Sequence, residues 1–164
     1  MAVWQFKFEV VPESGLRRVH GGLLESLSVA RKPRWPHSVE DADQVTNYWE
    51  GMDSLALAAP VRELLPARKS WSEDGVMYGH DDGDEVKIWP DLVAASFDMR
   101  NIARDFIDGF LGICSDHRLM LVINETKAVV RPEIQELIPH VESSFAHRFC
   151  VAPEEVLKEF RKEP

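Results

Sequence analysis

Residues 3–11 alternate between two sides, with Val3, Gln5, Lys7 and Glu9 on one and Trp4, Phe6, Phe8 and Val10 on the other. A two-residue period with aromatics on one face predicts a half-buried strand, which Pro12 and Ser14-Gly15 end. Strand signals return at Gly75-Val76-Met77-Tyr78-Gly79, at Val86-Lys87-Ile88-Trp89 and from Val93 to Arg100. Asp82-Gly83 between the first two is a hairpin cue, because Gly accepts the positive φ of a tight turn. Pro90-Asp91 supplies the next turn. The three strands are expected to form an antiparallel meander. In the last of them Ala95, Phe97 and Met99 share one face, and Ser96, Asp98 and Arg100 the other.

From residue 101 the period becomes helical: Ile102, Phe106, Phe110 and Cys114 recur every four residues, widened by Ala103, Ile107 and Leu111. Asn101 is the expected cap. Leu119-Met120-Leu121-Val122-Ile123 is a short unbroken apolar run, which predicts a strand covered on both faces. Residues 127–130 return as its neighbour. Pro132 suits the first position of a helix carrying Ile134, Leu137, Ile138 and Val141, which Pro139 kinks or splits. Pro153-Glu154-Glu155 opens a final helix docked by Val156, Leu157 and Phe160.

Two stretches lack a clear period. Residues 16–50 read as a long irregular excursion, broken by Gly21-Gly22, Pro33 and Pro36, with a short helix around Leu23, Leu24 and Leu27 and a cap at Ser38. Residues 51–69 hold a short helix ending near Leu65, since Pro60 and Pro66 forbid a long one. No linker divides the chain, so residues 1–164 are expected to form a single globular domain. The fold class is α+β: an antiparallel or mixed sheet of about five to six strands with helices packed mainly on one face.

Charge narrows the partners. Net charge is −9, which phosphate backbones and anionic lipid repel. General nucleic-acid binding and membrane binding are therefore disfavoured, while a basic protein partner is compatible. The N-terminus lacks a basic segment followed by an apolar one, no run is long enough to span a bilayer, and the expected location is cytoplasmic. Cys114 and Cys150 are read as buried free thiols.

Candidate chemistry is sparse. Glu73, Asp74, Asp81, Asp82, Asp84 and Glu85 make the most distinctive cluster. A calcium loop needs a Glu six positions after its Gly, and position 89 is Trp, so that match fails. The cluster reads instead as a solvated hairpin tip or as an acidic prong for a basic protein, with Trp71, Tyr78, Asp81, Asp82, Asp84 and Glu85 as the partner-binding set. Ser96, Asp98 and Arg100 are the pocket candidates, with Asp98 and Arg100 placed to pair. The histidines show neither HxH nor HExxH spacing, and His140 and His147 share a face only if their helix is continuous. Ser115, Asp116 and His117 are adjacent and point apart, so they form no relay. No catalytic residue, metal ligand or cofactor is assigned. Arg17, Arg18, Arg31, Lys32 and Arg34 beside Trp35 form a basic patch, suited either to RNA or to the chain's own acidic tip.

Trp4-x-Phe6-x-Phe8, Trp71-Ser72, Tyr78-Gly79 followed by Asp82-Gly83-Asp84, Phe97-Asp98-Met99-Arg100 and Ser143-x-x-Ala146-x-Arg148-Phe149 stand together in this chain. The combination resembles small bacterial proteins of the immunity type, which neutralise a toxin domain. The resemblance implies a protein-binding role, that of an immunity-type protein neutralising a toxin or of an adaptor, and the absence of a catalytic motif makes an enzyme the less expected reading. The alternatives are a small-molecule-binding protein or enzyme with its pocket on the polar face of Val93 to Arg100, and a structural subunit of a homo-oligomer.

Overall fold

The computed structural model describes residues 2–27 and 46–160. Seven strands form one sheet in the order β2-β3-β4-β5-β1-β6-β7. They are β1 Gln5–Pro12, β2 Ala67–Arg68, β3 Val76–Gly79, β4 Glu85–Trp89, β5 Leu92–Asp98, β6 Leu119–Ile123 and β7 Val129–Val130. Every neighbouring pair is antiparallel. The expected α+β class holds, and β3, β4 and β5 form the expected meander. The sheet is wider than expected because Ala67–Arg68 adds an edge strand too short to show a period.

β1 lies between β5 and β6, with Phe8 opposite both Ala95 and Ile123. Its alternation therefore decides what each face of the sheet carries. Phe6, Phe8 and Val10 enter the main core with Val93, Ala95, Phe97, Leu119, Leu121 and Ile123. That core is closed by Leu57 and Val61, by Phe106, Phe110 and Cys114, and by Leu137 and Ala146. These come from a 3-10 turn at Ser54–Leu57, α2 Ala58–Arg62, α3 Arg104–Asp116, α4 Ile134–Ser143 and α5 Phe145–Val151. On the opposite face, Val11, Met120 and Val122 pack against Leu16 of α1, Glu13–His20. β6 is thus buried on both faces, as its unbroken apolar run requires.

Several local expectations fail for identifiable reasons. Ser14-Gly15 does not end β1 in a turn but lies inside α1, which starts directly after Pro12. Gly15 is needed there because a Cβ would sit 2.0 Å from the Tyr48 carbonyl oxygen. The helix ends at Gly21, whose φ of +76° is the left-handed C-terminal cap. Leu23, Leu24 and Leu27 therefore follow a helix instead of forming one, and Ser26 bridges to Ala128. α3 starts after Ala103 with no side-chain cap, so Asn101 does not cap it. α4 starts after Glu133, past Pro132, and runs through Pro139. The break falls at Ser144, whose hydroxyl accepts the His147 N–H at 3.2 Å and starts α5. α6, Pro153–Phe160, buries Val156 but leaves Leu157 half exposed. Ser38 and the prolines at 33 and 36 lie outside the described residues, as do Arg31, Lys32, Arg34 and Trp35. No helix among the described residues is long and apolar enough to cross a membrane.

Candidate functional site

The β3–β4 ladder has two ends with different chemistry. At one end the chain reverses through residues 80–84. The positive φ, +88°, falls at Gly79, where a Cβ would lie 2.1 Å from the Asp84 carbonyl oxygen. Gly83 has no such φ, so the Asp82-Gly83 cue marks the right loop but the wrong glycine. The His80 N–H donates to the Asp84 carbonyl at 2.9 Å and closes the loop.

The acidic loop is then fastened down by its backbone. Trp4 Nε1 donates to the Asp82 carbonyl at 2.7 Å, and Gln5 Nε2 to the Gly83 carbonyl at 2.7 Å. Arg100 Nη2 donates to the same Asp82 carbonyl at 2.7 Å while its guanidinium lies 4.1 Å from the centre of the Trp4 ring. The rest of that guanidinium grips Asp98 in a fork, Nε to Oδ1 at 3.0 Å and Nη2 to Oδ2 at 2.8 Å.

The carboxylates of the loop diverge. Asp81 and Asp82 point outward, and Asp81 pairs with Arg68. Asp84 turns inward and accepts the Asp98 N–H at 2.9 Å. Glu85 is buried between Arg68 and Lys87, the latter at 2.8 Å. Burial pushes the Asp84 carboxyl above the ordinary Asp value, and the neighbouring Asp98 charge adds to it. Hydrogen bonds from Arg100 hold Asp98 below its ordinary value. The tip is therefore a partly neutralised, anchored loop and not a free prong.

At the other end of the ladder, Trp71 packs on Trp89 with ring centres 4.8 Å apart and the rings tilted by 38°. Gly75 makes room, since a Cβ there would meet the Trp89 indole at 2.3 Å. The Ser54 hydroxyl donates to the Trp89 carbonyl at 2.6 Å, and Leu92 pairs with Trp89 across the strand turn. Trp71 is 75% exposed and Leu92 38%. Glu73 and Asp74 follow Trp71 in the chain, Asp91 lies in the turn between Trp89 and Leu92, and all three are exposed. The result is an apolar centre with an acidic rim. Trp89 and Glu85 stand at opposite ends of β4, about 13 Å apart, so Trp71 does not flank the acidic loop.

The remaining candidates separate in the same way. Tyr78 is buried in the main core. Ser96 and Asp98 are buried on the face opposite that core, and Arg100 lies past the end of β5. Asp98 and Arg100 do pair, but they spend their polar groups on each other and on the loop. Arg17 pairs with Glu13 and Arg18 with Glu50, not with the acidic tip. Cys114 is buried, whereas Cys150 is half-buried, and both thiols are free. The break at Ser144 separates His140 from His147. Among the described residues, no three His, Cys, Asp or Glu side chains converge as metal ligands would.

Sequence reading missed Arg68, Trp4 and Gln5 as anchors of the loop, and Trp89 as the partner of Trp71. Only Trp4 carried a signal, as an aromatic at the exposed end of an alternating strand. Comparison with known proteins finds no matching family model, no similar curated protein and no similar solved structure.

Proposed function

We propose that this chain is a protein-binding module of the immunity type, docking a basic protein surface through the patch around Trp89. The observation that carries the reading is Trp71, 75% exposed yet seated on a second tryptophan and rimmed by acids. A large exposed aromatic held in place loses little conformational freedom on binding, and such residues dominate interface energetics. The acidic rim suits a cationic partner and speeds its approach. The anchored loop at Asp81 and Asp82 supplies a second, weaker attraction at the far end of the ladder.

The test is co-expression of the chain with the products of the genes flanking its own, scored by growth and by co-purification. Rescue from a toxic product, lost on Trp71→Ala but kept on Asp81→Lys with Asp82→Lys, supports the reading. Equal rescue and equal recovery by the Trp71→Ala protein removes the patch from the account.

A further inference from the structure

The acids along the β3–β4 ladder differ in what they meet. At the loop end Asp81, Asp82, Glu85 and Asp98 each lie beside Arg68, Lys87 or Arg100. At the tryptophan end Glu73, Asp74 and Asp91 are exposed and form no ion pair among the described residues. Two hydroxyls fix the chain that carries the first two. Ser70 Oγ accepts the Ser72 N–H at 3.2 Å, and Ser72 Oγ accepts the Asp74 N–H at 3.3 Å. One residue of chain spans at most about 3.6 Å, so the Glu73 Cα stays within about 7 Å of the Trp71 Cα. Uncompensated negative charge is thus tethered close to Trp71, the one exposed tryptophan among the described residues.

The molecule itself shows what an indole beside a carboxylate takes up. Trp4 and Asp98 share Arg100, whose guanidinium carbon lies 4.1 Å from the ring centre while Nε and Nη2 fork onto the carboxylate at 3.0 and 2.8 Å. A guanidinium satisfies both at once, because its flat, weakly hydrated face lies on a ring while its edge donates to a carboxylate. An ammonium is more strongly hydrated and has no flat face. Trp71 offers the same two elements without the cation, since Arg100 over Trp4 is the one cation–π contact among the described residues. Trp89 meets one side of the Trp71 ring, and the exposure of Trp71 leaves the side away from Trp89 open to a guest.

We infer that Trp71, with Glu73 and Asp74, receives an arginine side chain of the partner protein, the guanidinium lying on the indole and pairing with a carboxylate. This rests on the docking role proposed for the patch and names the group that the patch recognises. Trp89 holds the receiving ring in place before contact, which keeps the ordering cost of the contact low. Selection is then for arginine over lysine and not for positive charge alone.

The experiment titrates the full chain with the blocked tripeptide acetyl-Gly-Arg-Gly-amide at constant ionic strength, and separately with its lysine and citrulline counterparts. Citrulline keeps the shape of arginine without its charge. NMR of the Trp71 indole N–H reads the binding. The expected result is a saturable shift with the arginine peptide, and binding weaker by about 3-fold or more with citrulline and with lysine. Trp71→Leu keeps an apolar side chain and is expected to remove the arginine preference, read from the arginine side-chain protons, whereas Trp71→Phe keeps part of it. Glu73→Gln with Asp74→Asn is expected to weaken the arginine peptide several-fold, and the charge-matched pair Glu63→Gln with Asp116→Asn leaves it unchanged. If the arginine peptide does not shift the Trp71 indole, or if citrulline binds as tightly as arginine, the assignment is overturned. Either result, with rescue still lost on Trp71→Ala, sinks the arginine and leaves the docking surface standing. Rescue kept by Trp71→Ala sinks the docking surface itself.

Discussion

Gly79 and Gly83 lie in the same acidic stretch, four residues apart, and face opposite demands. Gly79 sits at a φ of +88° with the Asp84 carbonyl where a side chain would begin, whereas a Cβ on Gly83 would meet its nearest neighbour at an ordinary 3.5 Å. Gly79→Ala is expected to cost about 2 kcal/mol or more, and Gly83→Ala about 0.5 kcal/mol, read from urea midpoints. Asp84 and Asp98 form a second contrasting pair, joined by one hydrogen bond but shifted in opposite directions. The raised Asp84 carboxyl penalises the folded state at neutral pH, and the penalty fades as pH falls through the raised folded value and is gone below the ordinary Asp value. Asp84→Asn keeps an oxygen for the Asp98 N–H, so it is expected to stabilise the protein at pH 7 and to be neutral in acid. Asp98 is depressed, so its contribution is present above the ordinary Asp value and is lost as pH falls through its lower folded value. Asp98→Asn is expected to destabilise at pH 7, with the deficit closing only in strong acid. Thermal melts across that pH range check both signs, and a shared sign refutes the assignment.

Among the elements, those with a strong period were legible and those set by a single close approach were not. β1, β4, β5, β6 and α3 each announce themselves by alternation or by a four-residue repeat, because burial of a whole face repeats along the chain. α1 does not, because its place depends on Gly15 lying under the Tyr48 carbonyl, a contact between residues 33 positions apart. β2 is two residues long and visible only through its pairing with Met77 and Tyr78. The reading of β6 as covered on both faces yields a prediction. Leu121 faces the main core and Val122 the smaller cluster. Leu121→Asp and Val122→Asp are each expected to cost about 3 kcal/mol or more, because each buries a charge without a partner. A strand with one wet face would tolerate one of the two, and a cooperative melt of either variant near the wild-type temperature would show that arrangement.

At the scale of the molecule, the sequence placed the acids and tryptophans in one window, residues 71–89, and the fold pulls them apart. Strand length does this, since the five-residue β4 carries Glu85 and Trp89 to its opposite ends. A linear run of charge therefore does not describe a surface, and the patch around Trp71 needs Trp89 beneath it and Leu92 across the strand turn from Trp89. The separation has a kinetic consequence for the proposed partner. With a net charge of −9, long-range attraction belongs to the whole chain and its rim, and it acts before contact. The apolar centre acts only after contact. Trp71→Ala is expected to speed dissociation by about 10-fold or more while leaving the association rate and its salt dependence nearly unchanged. Glu73→Gln with Asp74→Asn is expected to do the reverse, slowing association and flattening its dependence on ionic strength. Surface plasmon resonance at two salt concentrations separates the two effects. If Trp71→Ala alters association alone, the tryptophan is not the centre of the interface, and the acidic loop at Asp81 and Asp82 becomes the contact to examine.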